Sequence, residues 1–419
     1  MRGLRKVLTP FAPDQSGAES VLYELGGIVV ILDAGGCAGN ICGFDEPRWS
    51  FRKSAVFSAG LRDMDAVMGR DKLLVKKICR CARKIDASFV AVIGTPVPAV
   101  IGTDLHAVKR MIEAQLSLPV LTIATDGMHL YDRGVEMAYG ALLRALDSRG
   151  LLGEAETAAP PDGEAGLSGG TAGRSSRRAG VFGVTPLDLP DEKSAEQIRQ
   201  ALRREGFDEA ILYGHGAVLQ DYENADENEV NIAASLDGIP AVRFLNERFG
   251  TPYEVRFPGA ELVLQRSWTA EKSTGTGGSA PAGGRPAALR AGTGQGEWPA
   301  SGIRTGRSMR AGKDAQTGER SCTLIVHSQV LGNTLREMIW RREPGRKVVV
   351  ASWFEMDGGL SLPEDVWLKE EDDFTALVSA LKPGLIIADR AMKGLIPEYD
   401  GTFLHLPQFA VSGKREVLV

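Results

Sequence analysis

Long apolar runs, cysteines and histidines are all scarce in this chain of 419 residues, which has 5 cysteines and 5 histidines. No apolar run reaches the ~18 residues that a membrane-spanning helix requires. Basic residues near the start are followed by Pro, Asp and Gln, where a secretory signal would need a continuous apolar stretch. We therefore expect a cytoplasmic protein that does not enter a membrane.

An excess of positive charge is also missing. The net charge is −5 at pH 7, and no stripe of Lys and Arg could follow a phosphate backbone, so we expect no nucleic-acid partner. An odd number of cysteines spread over a long chain does not make a disulfide framework, so each thiol is either core or ligand. Neither G-x-G-x-x-G nor G-x-x-x-x-G-K-[ST] opens a predicted helix, which leaves nucleotide binding unsupported.

What the chain does have is one repeated pattern, in which a short β-branched run, a Gly, Pro or Asp turn and an amphipathic helix follow one another. This pattern predicts an α/β fold of three Rossmann-like parallel-sheet domains around a central cleft. The predicted domains cover residues 1–153, 180–272 and 320–419. Residues 154–179 and 273–319 have almost no large apolar side chain, so we expect two disordered insertions there.

The predicted strands indicate where a ligand should bind, because ligands of such sheets lie at the carboxyl ends of the strands. Four loops after strands, at residues 35–40, 94–98, 126–129 and 213–216, are expected to converge on the cleft. The predicted strands lie within residues 27–36, 89–98, 119–127, 180–188, 209–217, 322–329, 347–355, 385–391 and 403–407. The predicted helices include residues 71–84, 104–115 and 240–250.

The densest candidate site is the stretch 33–42, Asp-Ala-Gly-Gly-Cys-Ala-Gly-Asn-Ile-Cys. Cys37 follows a buried strand in a turn where Gly35, Gly36 and Gly39 let the backbone approach a bulky group. A thiolate beside unencumbered backbone N–H groups suits iron–sulfur ligation. A turn in which a small cysteine simply packs explains the same residues, so both interpretations stay open.

Three stretches carry a family resemblance: FAPDQSG from Phe11, LGGIVVILDAGGCAGN from Leu25 and DEPRW from Asp45. Together they resemble the amino-terminal region of nitrogenase component 1-type oxidoreductases. In that family, the loop that corresponds to residues 35–40 carries a cysteine that helps to hold a cluster at a subunit interface. Further stretches fit the family in the same order, at residues 61–73, 94–104, 231–250 (similar to the middle-domain helix) and 406–413.

The resemblance implies a redox subunit with an iron–sulfur centre near Cys37. Because cluster iron takes four thiolate-like ligands, a second component 1-like subunit or a second copy of the chain would complete the site. The resemblance also implies electron supply from an ATP-dependent, iron-protein-like reductase. The candidate metal ligands are Cys37 and, more weakly, Cys42; the candidate cofactor-binding residues are Gly35, Gly36, Gly39, Asn40, Thr95, Asp126 and His129.

Departures from the family pattern narrow the expected activity. Thr95 and Pro96 stand in the loop where the catalytic subunits have a cysteine, and the segment before Cys37 offers Glu19, a speculative oxygen ligand, instead of a thiol. Ala234 and Pro407 stand about where the cofactor ligands of the catalytic subunit would be. The resemblance therefore implies a protein that does not reduce dinitrogen.

The remaining candidates have structural alternatives. Asp126 and His129 could relay protons at a strand end, but an ordinary cap and turn explains them too. His215 either faces the cleft or is a turn residue. The other thiols, Cys79, Cys81 and Cys322, are expected to pack. Two further functions stay open: a scaffold or carrier for a metallocofactor or tetrapyrrole, and a regulatory paralogue without a cofactor.

Overall fold

The computed structural model describes residues 5–153, 176–189, 192–261 and 322–413. In these residues, thirteen strands form three sheets, and every strand pairing is parallel. Strands of parallel sheets are apolar throughout, because helices pack on both faces of the sheet. Residues Ile28–Ile31 fit this rule, since all four are β-branched and buried. The predicted α/β fold with three parallel-sheet domains is confirmed.

The first sheet has the strand order β2–β1–β3–β4. Its strands are β1 (Ile28–Ile31), β2 (Ala55–Ser58), β3 (Val90–Ile93) and β4 (Val120–Ile123). Its helices are α1 (Asp14–Leu22), α2 (Gly36–Asn40), α3 (Asp63–Met68), α4 (Asp71–Ala82), α5 (Pro96–Ile101), α6 (Leu105–Glu113) and α7 (Tyr131–Asp147). α6 begins where Asp104 accepts a hydrogen bond from Ala107 N at 2.9 Å, an ordinary N-cap.

Helix α1 packs unusually close to α7, and two glycines make this approach possible. A Cβ on Gly17 would lie 1.9 Å from Tyr131 O, and one on Gly134 would lie 1.7 Å from Asp14 O. Any side chain at either position would therefore separate the two helices. All nine residues of α1 are buried as a result, including its polar ones.

The second sheet has the order β6–β5–β7–β8. Its elements are β5 (Arg178–Phe182), α8 (Glu192–Arg204), β6 (Glu209–Leu212), α9 (Leu219–Glu223), β7 (Val230–Ala233), α10 (Ile239–Phe249) and β8 (Tyr253–Val255). Arg178 and Ala179, which the sequence analysis placed in an insertion, pair with β6 instead, and Ala179 is fully buried. Residues 154–175 of that predicted insertion lie outside the described residues.

The segment compared above with a single helix, residues 231–250, is instead a strand followed by a helix. Asn231 lies inside β7, where its side chain donates to Ala225 O at 3.1 Å and accepts from Asn228 at 2.8 Å. These contacts satisfy a polar side chain within a buried strand. α10 itself has proline in its first turn and ends at Gly250, whose φ is 78°, as a typical left-handed cap.

The third sheet has the order β11–β10–β9–β12–β13. Its elements are β9 (Cys322–Val326), α11 (Gln329–Arg342), β10 (Lys347–Ser352), β11 (Val366–Trp367), α12 (Glu371–Leu381), β12 (Leu385–Ala388), β13 (Thr402–His405) and α13 (Phe409–Ser412). The second predicted insertion, residues 273–319, lies outside the described residues. No helix in the described part of the chain is both long enough and apolar enough to span a bilayer.

The ends of the described chain join the three domains. Ala410, in α13, donates its backbone N–H to Leu187 O of the second domain at 2.8 Å and accepts from Ala12 N at 3.4 Å. The Glu371 carboxylate accepts from the backbone of Leu8 at 2.7 Å. The carboxyl-terminal stretch therefore contacts both other domains close to the amino terminus of α1.

Candidate functional site

The Cys37 loop begins at Asp33, directly after β1. The buried Asp33 carboxylate accepts a hydrogen bond from Ser58 Oγ at 2.6 Å and another from Ala38 N at 2.8 Å. Gly35 has a φ of 119°, a backbone conformation that favours glycine. Asp33 therefore joins the first turn of α2 to β2 and fixes the position of Cys37.

The Cys37 thiol is half-buried and lies against the loop that follows β3. Burial and the Asp33 carboxylate raise its pKa, and a hydrogen bond with Thr95 lowers the pKa by less. Thr95 is itself fixed, because its hydroxyl donates to Leu32 O at 2.9 Å. Because the pKa is raised, the thiol stays protonated at neutral pH, so a bound metal would have to displace that proton.

Cys42 lies in the turn Ile41–Asp45, which has π-helical hydrogen bonding. The turn ends where Glu46 N donates to Ile41 O at 2.8 Å. Burial, followed by the charges of Glu19 and Glu46, raises the pKa of Cys42 to about 11. Isolated π turns are rare and occur often at functional sites.

Helix α1 contacts this turn through Ser16, whose hydroxyl donates to Asp45 Oδ2 at 2.6 Å. The same carboxylate oxygen accepts from Asn40 Nδ2 at 2.9 Å. Asp45 therefore links the end of α2 to α1, in which Ser16 lies 29 positions earlier in the chain.

Arg48 joins the first domain to the second. Its guanidinium contacts both oxygens of Glu46, at 2.8 and 2.7 Å, and Glu24 at 2.8 Å. It also donates to Gly214 O at 3.3 Å, while Gly216 N donates to Glu24 at 2.8 Å. The 213–216 loop, one of the four loops expected at the cleft, is thereby tied to the segment that follows Cys42.

The loop after β4 is held by Asp14, at the start of α1. Its carboxylate accepts from Asp126 N at 3.1 Å and from Gly127 N at 2.9 Å. His129 Nδ1 lies 3.3 Å from Asp126 Oδ1 and 3.9 Å from Asp14 Oδ2. Within the described residues these three side chains form a group whose ligand atoms all lie within 4.8 Å of one another. The carboxylates of Asp14 and Asp126 accept hydrogen bonds from backbone N–H groups of the loop, as in an ordinary turn.

One feature of this region suits a bulky group. A Cβ on Gly36 or on Gly39 would meet nothing within 4 Å, so the face of the Cys37 loop is open. Glu19 is fully buried and therefore not part of that face; burial and the Glu46 carboxylate raise the pKa of Glu19 well above its usual range. The thiols of Cys37 and Cys42 beside an open face fit an iron–sulfur centre as a partial set of ligands.

The other thiols lie apart from this region. Cys79 lies in α4, on the side that is buried in the core of the first domain. Cys81 lies further along the same helix, and Cys322 begins β9, at the opposite end of that strand from its carboxyl edge. Their surroundings agree with packing roles.

Large apolar side chains are exposed on the same loops as the candidate ligands. Phe44, after α2, is 74% exposed; Val100, after β3, is 85% exposed; and Met128, after β4, is 81% exposed. Because β1, β3 and β4 are parallel neighbours, these loops share one edge of the sheet. Exposed apolar groups gathered at such an edge are typical of a surface that another protein covers.

Sequence reasoning assigned no role to the residues that organise the loops, namely Asp14, Ser16, Asp33, Glu46 and Arg48. Glu46 and Arg48 lie within the DEPRW stretch that carried the resemblance, so that stretch was the available signal. Asp14 and Ser16 lie within the FAPDQSG stretch in the same way.

The fold and the site define a class of protein: three parallel-sheet α/β domains with a thiol-bearing loop at the carboxyl edge of the first sheet. Residues 16–261, more than half of the chain, match the family model described as nitrogenase component 1 type oxidoreductase. The chain belongs to this family, and the resemblance seen in the sequence is confirmed.

Solved structures support the same fold. One, titled nitrogenase Cp1 at pH 5, has a TM-score of 0.57 and 13% identity, with 97% of this chain and 85% of that chain covered. Another, titled nitrogenase Cp1 at pH 6.5, has a TM-score of 0.58 and 10% identity, with 97% and 87% covered. At these identities the likeness concerns the fold alone. A search of curated proteins finds no match.

Proposed function

We propose that this chain is an electron-accepting redox subunit that holds an iron–sulfur centre at Cys37. The observation that carries the proposal is the placement of the Cys37 thiol at the carboxyl end of β1, on an open loop face and fixed by Asp33 and Thr95. When bound, such a centre supplies one-electron transfer. An ATP-dependent, iron-protein-like reductase is the proposed electron donor, as in the family resemblance.

The ligand count supports a shared site. Cys37 and Cys42 supply at most two of the four thiolate-like ligands that cluster iron takes. The exposed Phe44, Val100 and Met128 offer a surface for a second component 1-like subunit or a second copy of this chain. We therefore propose that the centre lies at a subunit interface.

The chain's own residues would have distinct roles toward the centre. Cys37 would be the main ligand and Cys42 the second, while Gly35, Gly36 and Gly39 keep the loop face open for it. Asn40 and Thr95 would lie beside it as polar contacts, and Asp126 and His129 would border it from the next loop. The described cysteines are all free thiols, which suits the reducing cytoplasm as location.

Dinitrogen reduction is not part of the proposal. Ala234, just after β7, is buried, and its methyl side chain cannot bind a metal; the same holds for the ring of Pro407. These two positions lie about where the resemblance would require a thiol and an imidazole. The substrate reduced downstream is therefore a different one.

The proposal is tested by following the colour of the anaerobically purified full chain. Adding an iron-protein-type reductase with ATP should bleach the sulfur-to-iron absorption of the wild-type protein, whereas the reductase without ATP should not. A coloured protein that no such reductase bleaches would contradict the electron-accepting role.

The second candidate function is a scaffold or carrier for a metallocofactor or tetrapyrrole. Ala234 and Pro407 favour it, because a chain without these cofactor ligands could hold a cofactor without turnover. Colourless purified protein that binds an added metallocofactor or tetrapyrrole would support this function over the first one.

A further inference from the structure

We propose that Asp14, Asp126 and His129 bind a divalent cation of the Mn²⁺ class, with ligands other than the thiols of Cys37 and Cys42. This inference goes beyond the proposed function and does not depend on it. The three side chains each offer one ligand atom, and these atoms all lie within 4.8 Å of one another. Two carboxylates balance the charge of a divalent cation, and the imidazole supplies a neutral third ligand.

The distances between the ligand atoms fit a single ion. His129 Nδ1 lies 3.3 Å from Asp126 Oδ1 and 3.9 Å from Asp14 Oδ2. Around an octahedral ion with metal–oxygen distances of about 2.1 Å, adjacent ligands lie ~3 Å apart. The His129 side chain is 60% exposed, so a small rotation of the imidazole closes the longer gap.

Backbone hydrogen bonds fix the Asp14 carboxylate and still leave an acceptor position. Its Oδ1 accepts from Gln15 N at 2.8 Å and from Gly127 N at 2.9 Å, while Oδ2 accepts from Asp126 N at 3.1 Å. A carboxylate has about four acceptor positions, so one remains on Oδ2, the oxygen 3.9 Å from His129. Asp14 is 1% exposed and burial raises its pKa, so a cation beside it would stabilise the ionised form.

A second observation in the same loop is an unpaired buried oxygen. Gln15, the next residue in α1, is 6% exposed, and its Oε1 has no hydrogen-bond partner among the described residues. This oxygen lies against Gly127, between Asp126 and His129 in the chain, since a Cβ on Gly127 would come within 3.5 Å of it. Buried polar atoms without a partner are rare, and an amide oxygen is a ligand that hard divalent cations accept. A cation, or a water molecule bound to it, would satisfy Gln15.

One alternative involves no metal: Asp14 keeps a proton and donates it to the Asp126 carboxylate. The backbone N–H of Met128, and more weakly the side chains of His129 and Asp14, lower the pKa of Asp126. Asp126 would then be the charged member of a pair that shares a proton. Mn²⁺ distinguishes the two possibilities, because a pair that is satisfied by a proton does not take up the ion.

The test titrates Mn²⁺ into the chelator-treated full-length chain and follows the free ion by electron paramagnetic resonance. Mn²⁺ prefers oxygen ligands to thiolates, so wild type and Cys37→Ser should bind a single ion with equal affinity. The side chains of Asp126 and His129 are 38% and 60% exposed, so substitutions there should not disturb folding. Asp126→Asn and His129→Gln should weaken binding by about tenfold or more. Asp86→Asn and His106→Gln, at exposed positions, are the controls and should match the wild type.

The outcomes separate this inference from the proposed function. Equal Mn²⁺ affinity in wild type and His129→Gln overturns the inference, whether or not Cys37→Ser loses iron. Tenfold weaker binding in His129→Gln supports it, even if the iron–sulfur centre fails its own test. Pulsed electron paramagnetic resonance of the Mn²⁺-bound wild type is a second readout that needs no variant. Coupling to an imidazole nitrogen is expected, and its absence would overturn the assignment.

Discussion

The Ser16 hydroxyl donates a 2.6 Å hydrogen bond to the Asp45 carboxylate and so joins helix α1 to the turn that carries Cys42. The two residues lie 29 positions apart, and Asp45 is half-buried, with a pKa that burial raises. The position of one candidate ligand thus depends on a helix that precedes it in the chain.

Replacing Ser16 with alanine should therefore destabilise the first domain. Loss of a hydrogen bond to a charged acceptor costs about 1.5–3 kcal/mol, and the half-buried carboxylate would keep Asn40 as its one side-chain donor among the described residues. Urea denaturation of the full chain measures this loss. Ser50→Ala is the matched control, since Ser50 is exposed and makes a 3.3 Å contact with Pro47 O. Equal destabilisation by the two variants would contradict the role of Ser16.

The Arg48 network should have the largest single effect on stability. Arg48→Met leaves the buried Glu46 and Glu24 carboxylates without their main cation, which typically costs about 3–5 kcal/mol. Arg52→Met is the control, because the Arg52 side chain is 63% exposed and also pairs with Glu24. Its loss should cost less than about 1 kcal/mol. Similar midpoints of denaturation for both variants would show that the network does not join the domains.

His327 should make the folded state sensitive to acid. Burial lowers the pKa of His327 to about 4, whereas the unfolded chain has a histidine pKa of about 6.5. Between these values the unfolded state binds a proton that the folded state does not. The contribution of His327 to the free energy of unfolding is therefore fully present above pH ~6.5. It falls by up to about 3 kcal/mol as the pH drops to ~4.

His327→Gln should remove this part of the pH dependence. The free energy of unfolding, measured at several pH values between ~4 and ~7, should fall less steeply in the variant than in the wild type. His106→Gln, at an exposed position, is the control and should follow the wild-type curve. Parallel curves for His327→Gln and wild type would contradict the assignment of a neutral, buried imidazole.

Much of the fold could be predicted because buried parallel strands are continuous apolar runs, as in β1, β3 and β12. β2 was missed because its residues are half-buried to exposed, and β11 because it has only two residues. β7 was compared with a helix on the family resemblance, and no apolar run marked it as a strand because Asn231 interrupts that run. Local sequence carries little information about such edge or polar strands.

The site could be predicted only in part. The placement of Cys37 after β1 and of Thr95 after β3 could be predicted, because position after a strand can be inferred from sequence. The contact between Arg48 and Gly214 O joins residues 166 positions apart, and no local pattern indicates it.

Cys42→Ser separates the two roles that remain open for the second thiol. If Cys42 is a ligand, iron per chain after anaerobic reconstitution should fall partway, because serine oxygen is a poor substitute for a soft thiolate. Iron at the wild-type level would instead make Cys42 a packing residue of the turn. Cys322→Ser serves as the control, since that thiol begins β9, away from the loop.

Iron content of the wild-type chain and of Cys37→Ser tests the central claim most directly. Cys37 is the thiol that lies on the open loop face after a buried strand, fixed by Asp33 and Thr95. After anaerobic reconstitution, the wild type should hold iron and Cys37→Ser should hold essentially none, while Cys79→Ser matches the wild type. Equal iron in wild type and Cys37→Ser would contradict the redox function and leave the scaffold function as the better account.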